Sequence, residues 1–413
     1  MNIIIGAGIS GLSYAAFSNE DYLILEASNE IGGYCKTTKR NDFTWDYAGH
    51  FFHFKEEEIK EFVFSRLREQ KIHDVDKITK IKYKNNYIDF PFQKNIHQLS
   101  KEEYIECLIG LIERDEGKDC SSFKDMILQK FGEGICNKFL IPYNEKLYSI
   151  DLNRLDKDAM GRFFPYADLD DIILNAKSKG DSSYNSKFLY PEGGAIEFVN
   201  AINSEVDQSK ILFNKKVVSI CNKNKTVTTA DGDVYHYNKL INTAPLPKLY
   251  KMCSVEFDSS IYSSNYVSVF NIGFDKKTEL DHHWVYFPDK ETIFYRIGYY
   301  NNILSEDKMS LYIELGHNYH SKGHDIDILF KDVIRDLKLN GIITDQSVVD
   351  WQYIKMDPAY VHINAKSEED KTKKLQALNR DDIYSIGRYG SWTYCSIEDN
   401  IIEAKELAKQ HEK

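Results

Sequence analysis

Gly6-Ala7-Gly8-Ile9-Ser10-Gly11 stands directly after the apolar run Ile3-Ile4-Ile5 and ahead of a helical stretch through Ser13 to Phe17. This placement constrains the fold more than any other feature of the chain. A glycine-rich turn between a buried strand and a helix lets backbone approach a pyrophosphate and points the helix N-terminus at its charge. A second apolar run, Tyr22 to Leu25, ends in Glu26, at 26 − 6 = 20 residues beyond Gly6. An acid there accepts hydrogen bonds from ribose hydroxyls. The spacing predicts a Rossmann-type α/β unit with a stubby crossover helix of about three turns. Gly6, Gly8, Ile9, Ser10, Gly11, Glu26 and Ala27 are its candidate cofactor contacts.

The rest of the chain must be organised around that unit. Its 413 residues suggest two or three domains. Apolar spacing predicts helices between about 98 and 140, across 325–339 and across 400–409. A β pattern begins near Ile211 and runs to Ile220, then recurs at Thr226–Thr229, Val267–Gly273, Trp284–Phe287, Ile293–Tyr300 and Ser310–Leu315. Only 8 prolines punctuate the sequence, so the domains are expected to be interwoven. The 53 basic and 64 acidic residues give a net charge of −11, which argues against nucleic acid or an anionic membrane as partner. No uncharged apolar stretch reaches the length of a membrane span. The seven cysteines form no CxxC, and a reducing, cytoplasmic compartment is expected.

Several segments resemble the flavin amine oxidase and protoporphyrinogen oxidase superfamily. Glu26 to Thr37, containing the pair Gly32-Gly33, is similar to its extended FAD fingerprint. Tyr190-Pro-Glu-Gly193-Gly194, Lys216-Val217-Val218 and Asn242-Thr-Ala-Pro245 are similar to later cofactor-contacting segments. The resemblance implies FAD rather than NAD. It also implies a discontinuous FAD-binding domain over 1–90, 190–248 and 381–413, a helical insertion over 91–189 and an antiparallel-sheet substrate domain over 249–380.

Within that superfamily the chain resembles the UDP-galactopyranose mutase family, in its eukaryotic-type branch. The resemblance is carried by Asp46-Tyr-Ala-Gly49-His50-Phe-Phe-His53, Asp89-Phe-Pro-Phe-Gln-Lys-Asn-Ile96, Pro142-Tyr-Asn-Glu-Lys-Leu-Tyr148, Trp284-Val-Tyr286-Phe-Pro288 with Phe294-Tyr-Arg296, and Gly387-Arg388-Tyr-Gly-Ser-Trp-Thr-Tyr394. It implies a flavin-dependent isomerase that interconverts pyranose and furanose forms of a nucleotide-diphosphate sugar with no net redox change. Reduced FAD would act through an N5–sugar adduct, with NAD(P)H as reductant. Arg162 and Arg296 are implied as diphosphate clamps, Tyr286, Tyr360, Tyr394 and Asn185 as further substrate contacts, and Gly33, Gly49, His50, Val218, Arg388 and Asp399 as flavin neighbours. His53 is expected to be a loop or packing histidine.

The composition adds weight to the arginines. Only 10 of the 53 basic residues are arginine, and a planar bidentate fork is what phosphate recognition requires. Arg296 lies in an apolar run, where a buried charge needs a partner. After Tyr394 the sequence departs from the family with Glu398 and Asp399 where a neutral pair precedes an Asp, and the sugar and base stay open. His317, His320 and His324 have metal-like spacing without further ligands, so no metal is expected. A homo-oligomer is compatible with the sequence. The alternative activity is that of an FAD-dependent amine oxidase or protoporphyrinogen oxidase-like oxidoreductase.

Overall fold

The computed structural model describes residues 1–67, 70–117, 119–175, 187–319 and 325–412. Asn2–Ile5 is buried at all four positions, as a strand covered on both faces must be. It is the middle of a five-stranded sheet in which every pairing is parallel. Tyr22–Leu25 and then Ile211–Leu212 lie on one side, Leu240–Asn242 and then Ile383–Ser385 on the other. The crossover helix Ile9–Phe17 has nine residues and packs against Ile196–Asn203 and the C-terminal helix Ile397–His411. The short interval to Glu26 thus yields the short helix the spacing predicts.

A seven-stranded mixed sheet forms the second layer. Its order is Val348–Met356, Tyr266–Phe274, Ser310–His317, Arg296–Tyr299, Trp284–Tyr286, Thr79–Tyr83 and Asn86–Asp89. All pairings are antiparallel except that of Trp284–Tyr286 with Thr79–Tyr83. Alternation along the strands divides its two faces. Phe270, Val285, Ile297, Tyr299 and Ile313 pack with Leu329, Val333 and Leu337 of the helix Ile326–Leu339. Val269, Trp284 and Tyr312 point the other way, into a core shared with the helices Lys101–Ile112, Phe123–Ile135 and Ile141–Tyr148. That second face carries the site described below.

Two expectations need correction. The run Ile211 to Ile220 is not one strand. Ile211–Leu212 ends the parallel sheet, and Val217–Cys221 starts a separate three-stranded sheet with Thr226–Thr229 and Val234–His236. Asn214, at φ 58°, turns the chain between them through the left-handed region, which a strand cannot contain. The expected 1–90 boundary of the nucleotide unit also falls elsewhere, because residues 79–89 pair into the seven-stranded sheet. Backbone pairing with a strand 200 residues later leaves no local trace. No helix among the described residues is long and apolar enough to cross a membrane.

Candidate active site

The parallel pairing brings several strand C-termini to one edge of the sheet. Gly6, Glu26, Thr243 and Gly387 all lie just beyond that edge, where the order of strands reverses. Ligands of open α/β sheets bind at such a point. The glycines differ in what they permit. A Cβ on Gly11 would stand 2.0 Å from the Gly6 carbonyl oxygen, so this glycine allows the helix to pack on the turn. Gly8 and Gly33 face each other, and a Cβ on Gly33 would meet only the Gly8 Cα, at 3.4 Å. This is a cradle of bare backbone. Gly8 caps the helix Ile9–Phe17 with no side-chain hydrogen bond, leaving its leading N–H groups to a phosphate.

Glu26 is fixed in one orientation by its neighbours. Its carboxylate accepts from Ala7 N (2.7 Å), Ser28 N (2.8 Å) and Ser28 Oγ (2.7 Å), with lone pairs left over. Lys215 N donates to the Glu26 carbonyl (2.8 Å), which brings the chain leading to Val218 alongside; Ala27 and Val218 are both exposed there. Ser10 Oγ donates to Asn400 Oδ1 (3.1 Å), and the same oxygen accepts from Arg388 N (2.7 Å). The crossover helix, the Gly387 turn and the C-terminal helix are thereby locked together.

The second half of the site is a row across the other sheet. Tyr286 pairs in register with Arg296, and Arg296 with Glu314, so the three side chains share one face. Arg296 Nε and an Nη donate to the two oxygens of Glu314 at 2.5 and 2.8 Å. Glu314 is 2% exposed. The partner that burial of Arg296 demanded is therefore a carboxylate of this chain. Burial opposes the guanidinium charge, yet the Glu314 carboxylate holds its pKa well above the ordinary value. Tyr360 joins from the loop after Val348–Met356, fixed by Asn265, which accepts from Tyr360 N (2.8 Å) and donates to the Leu147 carbonyl. The Tyr360 and Tyr394 rings stack at 6.1 Å, and the Arg388 guanidinium lies 4.6 Å from the Tyr394 ring and 5.5 Å from that of Tyr360. Burial pushes the Tyr360 hydroxyl up to about 12, against the opposing pull of Arg296, so it stays a proton donor.

His50 links the two halves. Burial, reinforced by the Arg388 and Arg296 charges, lowers it to about 4, so the ring is neutral near pH 7. His50 Nδ1 and Arg388 Nε are buried and have no hydrogen-bond partner among the described residues. A polar ligand at this place would satisfy both atoms. With the Gly8–Gly33 cradle and Glu26 they fit FAD. Gly49 is required by packing: a Cβ there would stand 2.3 Å from the Tyr312 hydroxyl.

The remaining expected residues fall differently. Arg162, exposed in the turn Gly161–Phe163, forms an ion pair with Asp399. Asp399 is also the third residue of the C-terminal helix, where it accepts from Ser396 N in a capping box. Neighbouring Glu398 is buried and accepts from Lys55 N and Glu56 N (2.8 Å each), tethering the end of the His50 loop. The departure at 398–399 thus has a structural use. His53 Nδ1 meets the Lys187 carbonyl at 3.1 Å, as a loop histidine does. Asn185, His320 and His324 lie outside the described residues; His317 stacks on Tyr266. Sequence reasoning missed Glu314 and Lys77. The Lys77 ammonium lies 5.1 Å from the Trp284 ring, and burial followed by Arg296 lowers it to about 8. In sequence, Asp74-Val-Asp-Lys77 reads as surface charge.

Residues 11–409 match the family described as flavin containing amine oxidoreductase. The chain belongs to that family. Its cofactor is accordingly FAD. Among solved structures, the chain is similar to a crystal structure of reduced UDP-galactopyranose mutase, with a TM-score of 0.91 and 23% identity, over 99% of this chain and 93% of that one. A provisionally assigned protoporphyrinogen oxidase from Exiguobacterium sp. 255-15 follows with a TM-score of 0.79 and 14% identity, over 99% and 98% of the two chains. A CLA-producing fatty acid isomerase from P. acnes superposes with a TM-score of 0.68 at 12% identity, over 99% and 97%. At these identities the likeness is one of fold.

Proposed function

We propose that this flavoprotein is a nucleotide-sugar mutase, interconverting pyranose and furanose forms of a sugar attached to a nucleoside diphosphate. The observation that carries this reading is the Tyr286–Arg296–Glu314 row, with Tyr360, Tyr394 and Arg388 beside it. An oxidase for an apolar amine has no use for so many donors, whereas a leaving diphosphate does. Likeness of fold to a UDP-galactopyranose mutase, and the motifs that resemble that family's, support it.

FAD would be held by Gly8, Gly33, Glu26 and the N-terminus of the helix Ile9–Phe17, with His50 and Arg388 at its reactive end. When bound and reduced, it supplies the electron pair that lets the anomeric carbon part from the diphosphate without a side-chain nucleophile. The chain's own residues hold the separated diphosphate so that it can return. Arg296 offers a fixed guanidinium edge, oriented by Glu314, and Tyr286, Tyr360 and Tyr394 offer hydroxyls. Donors fixed beforehand in a half-buried site stabilise developing charge without reorganising. Arg162 reaches the same ligand by exchanging Asp399 for phosphate, and Asn185 is proposed as a further contact. Neutral His50 neither adds charge to the flavin end nor competes for the anion.

Incubating the dithionite-reduced holoenzyme with a panel of nucleotide sugars tests the proposal. A new chromatographic peak of unchanged mass, with no oxygen consumed per turnover, is the expected result. If every sugar returns unchanged while an amine or porphyrinogen reduces the flavin, the oxidoreductase reading replaces it.

A further inference from the structure

We propose that Lys146 is a positioning residue for the anion-binding hairpin, its ammonium serving as a built-in cation at the centre of a cage of carbonyl oxygens. Lys146 lies in the last turn of the helix Ile141–Tyr148. Its Nζ meets the backbone oxygens of Phe287 (2.8 Å), Asp289 (2.7 Å), Thr292 (2.7 Å) and Phe294 (2.6 Å). All four belong to the connection between the strands Trp284–Tyr286 and Arg296–Tyr299. Phe287 directly follows Tyr286, and Phe294 precedes Arg296 by two residues. The cage therefore sets the path of the chain at the point where both site residues emerge.

An ammonium suits this position for a physical reason. It is a point charge with three rotatable donors, which four oxygens around it can share, whereas the planar fork of arginine cannot face them all. The charged groups around it agree in sign. Asp289 on the loop and Asp336 from the helix Ile326–Leu339 both favour the charged form, against burial, which lowers Lys146 to about 7. Asp336 also accepts from Ile293 N (2.9 Å) and pairs with Arg335, while Lys290 pairs with Glu145 of the Lys146 helix at 3.2 Å. The same helix touches the hairpin a second time through Tyr143, whose ring lies 5.1 Å from that of Tyr286. Without the ammonium, inward-turned carbonyls lose their shared donor and the loop must open to hydrate them.

The inference rests on the reading that Tyr286 and Arg296 hold a diphosphate, so the experiment has two arms. In the FAD-loaded Lys146→Ala variant, hydrogen exchange at amides 287 and 289–295 is expected to quicken. UDP affinity, measured by calorimetry, is expected to fall about tenfold, a loss of about 1.4 kcal/mol, at unchanged flavin content. Ammonium chloride is expected to restore both, and choline chloride at the same ionic strength neither. Lys146→Arg, which keeps the charge and covers the case in which the alanine variant does not fold, is expected to show intermediate protection. Parent-like exchange and UDP affinity in either variant, or losses that ammonium leaves untouched in a folded protein, overturn the proposal. Should the parent bind neither UDP nor another nucleoside diphosphate, the diphosphate reading fails, while exchange and its ammonium rescue still decide whether Lys146 clips the hairpin.

Discussion

Replacing Glu314 by Gln separates two quantities that usually move together, stability and ligand affinity. Glu314 is 2% exposed, and its two oxygens meet Arg296 at 2.5 and 2.8 Å. Removing one partner of a buried ion pair costs about 3–5 kcal/mol, because the remaining charge is left uncompensated. The Arg296 side chain keeps 21% exposure, and glutamine retains one acceptor, so the loss here is expected to be about 2–3 kcal/mol. For a diphosphate on Arg296 the sign reverses. A negative charge behind the guanidinium repels the ligand, and deleting it at about 7 Å, with an effective dielectric of about 20, is worth roughly 2 kcal/mol before screening. After screening by salt, UDP is expected to bind about tenfold more tightly to Glu314→Gln than to the parent. Urea unfolding of the holoenzyme measures the first quantity and calorimetry with UDP the second. A variant as stable as the parent refutes the buried-pair argument. One that is destabilised and binds UDP more weakly refutes the placement of the diphosphate on Arg296.

Three further outcomes are expected. Gly11→Ala drives a Cβ to 2.0 Å from the Gly6 carbonyl, so the purified protein should carry little flavin by absorbance; full flavin content would mean the turn yields. Arg162→Ala should cut turnover far more than FAD content, whereas full activity would remove Arg162 from the diphosphate site. His362 is buried, with Nδ1 at 2.9 Å from Ser263 Oγ and Nε2 at 2.9 Å from the Tyr148 carbonyl, and burial lowers it from 6.5 to about 4. Its contribution to stability is complete above pH 6.5 and is lost as pH falls towards 4, because the unfolded chain takes up the proton first. The slope is at most about 1.4 kcal/mol per pH unit. Asp46, raised from 3.8 to about 6 by burial, acts in the opposite sense over part of that range. Comparing urea midpoints of His362→Gln and parent from pH 7 to 4 cancels Asp46, and the variant should show the shallower slope; equal slopes would show that His362 is not held neutral.

The sequence by itself determined the nucleotide-binding half of this protein, because that half is written locally. Strand, glycine turn, short helix, second strand and Glu26 all lie within the first 26 residues, and each step is imposed by backbone sterics or burial within a few residues of itself. The motifs also point to Tyr286, Arg296, Arg388 and Tyr394 as candidate site residues. Charge partnership was beyond its reach. That Arg296 answers to Glu314 follows from register between two strands, and Arg162 and Asp399 meet across 237 positions. Lys146 finds its four oxygens on a loop more than 140 residues away. A side chain's charge is a property of one residue, but its electrostatic role depends on what the folded chain sets within a few ångströms of it. Tertiary structure alone decided which of the scarce arginines is already paired, which lysine is buried as a clip, and why the acids at 398 and 399 cap backbone and bind Arg162.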